Sequence, residues 1–94
     1  MKVWLKVIVG EKLEKSFVQT VDNYKDNEIE EYVKEICNEI DEPTPIFLNK
    51  HFNHIKQFHN THFTERDFVE SINFDTMIVE VFDEKDKKNK NKLY

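Results

Sequence analysis

Residues 2–9, Lys-Val-Trp-Leu-Lys-Val-Ile-Val, alternate so that Val3, Leu5, Val7 and Val9 share one side of an extended chain. Trp4 and Ile8 share the other side, with Lys6 between them. Side chains of a strand point alternately to its two faces, so this segment is apolar on both. Such a strand belongs inside a sheet, with a neighbour on each edge. The rest of the chain has to supply those neighbours. The segment superficially resembles a secretory signal, but Lys6 interrupts it and no small-residue cleavage site follows, so it reads as part of the folded protein.

One neighbour follows at once. Gly10-Glu11-Lys12 reads as a hairpin turn, and residues 13–21 return as a strand with Leu13, Phe17 and Val21 on one face. Ser16, Val18 and Thr20 take the other face, and the greater polarity of this strand places it at an edge. At the far end of the chain, residues 76–82 alternate again, with Met77, Val79 and Val81 facing one way and Ile78 and Phe82 the other. This last strand is expected beside the first, and its direction stays open.

Between the strands the period changes. Ile29, Tyr32, Val33, Ile36, Cys37 and Ile40 recur at helical spacing through about residue 41, behind a capping pair formed by Asn27 and Glu30. Pro43 and Pro45 end this helix. Thr44 as N-cap and Pro45 as first residue then start a second helix at about residues 45–59, with Leu48, Phe52, Ile55 and Phe58 on its apolar side. Thr64 and Asp67 resemble a capping box flanked by the staple pair Phe63 and Phe68, which predicts a third, short helix burying Phe68, Val69 and Ile72. The expected order is ββαααβ: an α+β fold with a three-stranded sheet and helices mainly on one face. One Gly and two Pro in 94 residues leave few sharp turns, which argues against an all-β sandwich.

Charge divides the chain in two. Residues 1–83 carry nine Lys/Arg against seventeen Asp/Glu, a net of −8, and read as one domain. Residues 84–94 carry five Lys against two acids, a net of +3, and read as a disordered, solvating tail. An acidic globule repels nucleic acid and anionic lipid, so neither is expected as a partner of the folded part. No apolar run approaches the roughly 20 residues of a membrane span. The lone Cys37 rules out a disulfide framework and suits the cytoplasm. A single glycine also excludes phosphate-binding and dinucleotide-binding glycine loops.

All four histidines, His51, His54, His59 and His62, fall within twelve residues. Two readings compete for them. Imidazoles are common zinc ligands, so His51, His54 and His62 with Glu65 form a candidate metal set, with Asp67 and Glu70 close by in sequence. The i,i+3 spacings match no established zinc signature, however. On a helix His51 turns into the apolar stripe, and the cluster then becomes the polar margin of a phenylalanine-rich core.

Trp4, Ile8, Val18, Ile78 and Phe82 form the other candidate site. They emerge together on the sheet face away from the helices, where an apolar patch marks an association surface unless a helix crosses to bury it. The leading expectation is a non-enzymatic protein-binding or homodimerising domain acting through that face. A small metal-dependent or acid–base enzyme centred on the histidines is the alternative, and an acidic inhibitor or nucleic-acid mimic using Glu28, Glu31 and Glu35 is a third.

Overall fold

In the computed structural model, which describes residues 1–83, the elements run β1 (Lys2–Val9), β2 (Lys12–Thr20), α1 (Ile29–Ile40), α2 (Asn49–Phe58), β3 (Asn60–Phe63) and β4 (Thr76–Phe82). Two single turns of 3-10 helix, Asp26–Glu28 and Glu65–Asp67, precede α1 and follow β3. The expectation for the lysine-rich tail lies outside the described residues.

The fold is α+β, and its sheet has four strands rather than three, in the order β2-β1-β4-β3 and antiparallel throughout. β1 is central, as its two apolar faces require. Val3, Leu5 and Val7 are buried on its inner face beside Met77, Val79 and Val81 of β4 and Thr61 and Phe63 of β3. From α1 they meet Ile29, Val33, Ile36 and Cys37, and from α2 they meet Ile55. Close packing of these side chains removes most of the core's apolar area from water, at roughly 25 cal/mol per Å2.

The fourth strand comes from a segment expected to be a helix boundary. α2 ends when His59 takes a left-handed conformation, φ 62°, and its N–H closes on the Ile55 carbonyl. That one residue turns the chain straight into β3, whose pairing with β4 begins as the Val81 N–H donates to the His59 carbonyl at 2.7 Å. His59 is consequently exposed.

α2 also starts later than expected, at Asn49 instead of residue 45, because the chain is still extended at its N-cap Leu48, and ahead of it the Ile46 N–H donates across the chain to the Asp67 carbonyl at 2.7 Å. The third helix does not form: its first turn is 3-10 and stops at Phe68, which is extended. Val69 is 87% exposed instead of buried. The capping pair of Asn27 and Glu30 does not form either. Asn27 lies inside a 3-10 turn, and α1 is capped by Glu28 without a side-chain bond.

A β-bulge corrects the second strand. Val7 faces Lys15 and Ile8 faces Leu13, so Glu14 is the extra residue. A regular ladder would put Leu13 with Phe17 on the core side. The bulge turns it to the outer face beside Ile8, where it is 52% exposed.

Candidate functional site

The histidines are the first candidate, and their backbone separates them. His51 is the third residue of α2, and its ring lies in the core, 1% exposed and 4.4 Å from the Phe63 ring centroid. Its Nδ1 accepts the Leu48 N–H at 2.9 Å. The imidazole thus does for α2 what the third residue of a capping box does: it reaches back and satisfies an orphan donor of the first turn. An accepting Nδ1 in a neutral ring places the proton on Nε2. That atom makes no hydrogen bond among the described residues, and Asp67 Oδ1 lies 3.7 Å from it. Burial, opposed by the Asp67 charge, holds the His51 pKa below its ordinary value of 6.5.

Asp67 mirrors this arrangement. Its Oδ2 accepts the Thr64 N–H at 2.9 Å, closing the 3-10 turn that the sequence pattern at Thr64 and Asp67 marked. Two side chains that each cap their own turn therefore meet tip to tip inside the protein.

The other members of the candidate metal set point elsewhere. His54 is half-buried and lies 3.1 Å from the Thr61 hydroxyl through its Nδ1. His62 is exposed on the outer face of β3, opposite Ile78, while its neighbours Thr61 and Phe63 point inward. Glu65 is exposed on the 3-10 turn. Among the described residues, no three His, Cys, Asp or Glu side chains are grouped so as to hold a metal ion. Cys37 is buried and burial pushes its thiol up to about 12, so it is not an activated nucleophile.

The second candidate set does come together. The pairing registers place Val18, Trp4, Glu80 and Asn60 in one row across the outer sheet face, and Ser16, Lys6, Ile78 and His62 in the next. Leu13, Ile8 and Thr76 follow in the row above, and Thr20, Lys2 and Phe82 lie below. All five residues singled out from the sequence, Trp4, Ile8, Val18, Ile78 and Phe82, are on this face, and the bulge adds Leu13. Trp4 and Phe82 form an edge-on aromatic pair with centroids 6.2 Å apart. Lys6 Nζ sits 4.0 Å over the Trp4 ring and 3.5 Å from Glu80 Oε1. Leu13 was missed because its side depends on one bulged residue, which alternation alone does not reveal.

Charge distinguishes this face from the rest of the molecule. Its fourteen outward positions hold Lys2, Lys6 and Glu80, a net of +1, against −8 for residues 1–83. The acids gather elsewhere, notably on α1, where Glu30, Glu31, Glu35 and Glu39 are exposed. No helix among the described residues is long and apolar enough to cross a membrane. No protein-family model matches the chain, and no curated protein or solved structure is significantly similar to it.

Proposed function

We propose that this protein is a non-enzymatic association domain whose outer sheet face binds a second copy of itself. The observation that carries this reading is the pair of exposed aliphatic residues on β2, Val18 at 46% and Leu13 at 52%, continuous across the sheet with Ile8 and Ile78. Apolar side chains contiguous in water cost free energy that burial against a partner recovers.

The distribution of charge selects the partner. Two copies meeting through their helical faces would oppose acidic surfaces. Two copies meeting through the outer sheet face bring together surfaces of almost no net charge, on which Lys6 and Glu80 can each find an opposite in the other copy. A two-fold arrangement of stacked sheets, about 10 Å apart with strands roughly aligned, would bury Val18, Ile78 and Ile8 at its centre.

Sedimentation of the full chain tests the reading, with Val18→Glu and Ile78→Glu as variants. The expected result is a dimer for the wild type and folded monomers for both variants, whose melting temperature, unlike that of the wild type, does not change with protein concentration. A wild type that stays monomeric at all concentrations, with the same sedimentation as the variants, removes the proposal.

A further inference from the structure

A groove of about 610 Å3 runs along the outer edge of β2, between residues 17–20 of that strand and the Glu35 and Glu39 side chains of α1. It falls in the size range of ligand-binding clefts. β2 is an edge strand, and among the described residues nothing pairs with its outer side. An edge of this kind presents a row of backbone donors and acceptors to any extended chain that can reach it.

Proteins ordinarily blunt such edges with lysines, prolines or bulges. β2 does so along half its length only. The half nearest the hairpin carries the bulge at Glu14 and the lysines Lys12 and Lys15. Lys15 is further tied across to α1, donating to the Ile40 carbonyl at 3.1 Å and pairing with Glu42 at 2.8 Å. The half that lines the groove, Phe17, Val18, Gln19 and Thr20, has no lysine, proline or bulge. Its ladder to β1 is regular over these four residues, so its free edge is straight enough to accept another strand.

We propose that this groove binds a lysine- or arginine-bearing segment of another polypeptide, which adds to β2 as a fifth strand. Main-chain hydrogen bonds to residues 17–20 supply the docking, as in other cases of strand addition. The alternation of a strand then dictates the partner's chemistry. Side chains of the added strand on the helix side meet Glu35 and Glu39, which select cations. Those on the opposite side lie next to Val18 and Thr20, which select β-branched residues. Glu35 is already held toward the strand by Gln19, whose amide nitrogen donates to its carboxylate at 3.1 Å. The partner is therefore an extended segment alternating a basic residue with Val, Ile or Thr. This inference uses the edge of the sheet and does not depend on dimerisation through its face, although Val18 borders both.

The test is an amide-shift titration of the isotope-labelled full chain with a capped Lys-Val-Lys-Val-Lys-Val peptide. Shifts are expected to concentrate at residues 17–20 and around Glu35 and Glu39. The double variant E35Q/E39Q should weaken binding roughly twofold to thirtyfold, the range expected for losing two exposed ion pairs. A Glu-Val repeat should not bind. A Lys-Pro repeat, which keeps the charge but cannot hold a ladder, should not shift residues 17–20. Binding of the proline peptide as tight as that of the valine peptide, shifts confined to the outer sheet face, or no shift in β2 would each overturn the proposal. Repeating the titration in Ile78→Glu separates this outcome from failure of the dimer reading.

Discussion

His51 Nε2 and Asp67 Oδ1 lie 3.7 Å apart in the core, while the other polar atom of each side chain caps the turn it belongs to. The distance exceeds that of a hydrogen bond, so the pair is held by its two caps and not by a bond between the partners. Protonating His51 would gain attraction to Asp67 but would place a hydrogen on Nδ1, where the Leu48 N–H now donates. The ring therefore resists charging both through burial and through its cap.

This has a pH signature. The folded-state pKa of His51 lies below its unfolded value of 6.5, so below that pH the unfolded chain binds more protons than the folded one. Stability is full above about pH 6.5 and falls as pH drops below it, continuing down to the folded-state pKa. Each unit of pH in that window costs at most about 1.4 kcal/mol. His51→Gln keeps an acceptor that can reach the Leu48 N–H and removes the titration. Denaturant melts from pH 7 to pH 5 should show a slope in the wild type that is smaller in the variant. Equal slopes would mean that His51 does not set the acid sensitivity.

Asp67 can be dissected in the same way. Asp67→Asn retains an oxygen for the Thr64 N–H but removes the charge that favours the imidazolium. In this variant the titration seen for His51 by NMR should move to still lower pH. Asp67→Ala removes the cap as well and should cost about 1–2 kcal/mol more than Asp67→Asn in denaturant melts.

The aborted third helix gives a contrast between neighbours. Phe63 is fully buried against His51 and Phe47, whereas Val69 is almost fully exposed. Phe63→Ala should destabilise by about 3–5 kcal/mol, and Val69→Ser by no more than about 0.5. A large loss for Val69→Ser would restore the helix that the capping pattern suggests.

Gly10 has φ 63° in the β1–β2 turn, and its N–H donates to Asp75 Oδ2 while the Asp75 N–H donates to the Ile8 carbonyl. A Cβ at position 10 would meet nothing, so any cost is conformational and not steric contact. Gly10→Ala should lose about 1 kcal/mol, and Gly10→Asn less, because asparagine tolerates the left-handed region better. Asp75→Ala should cost a similar amount by leaving the Gly10 N–H without its carboxylate acceptor, while the backbone bond from residue 75 to the Ile8 carbonyl remains. Thermal melts of the three variants check the order.

Local pattern was enough wherever one period persisted over two or more turns or along a whole strand. The burial of Val3, Leu5 and Val7, the apolar stripe of α1, the alternation of β4 and the inward turn of His51 all follow from spacing alone. So does the gathering of Trp4, Ile8, Val18, Ile78 and Phe82 on one face, because alternation assigns each residue a side once its strand is known. The turn closed by Asp67 was readable too, although the helix behind it was not.

What the sequence determined by itself, then, was the class of fold, the central strand and the side of most residues, since these depend on interactions within a few positions. The tertiary structure decided the rest. It made residues 60–63 a strand by offering them the free edge of β4, and it tied the Asp67 carbonyl to the Ile46 N–H where a third helix was expected. It turned Leu13 outward through one extra residue, and it brought Asp67 to His51 across sixteen positions of chain. Apart from the Leu13 bulge, which lies within the β1–β2 hairpin, each of these outcomes rests on a hydrogen bond or contact whose partner is distant in sequence. No local period records such a partner, because its energy exists only after the chain has closed.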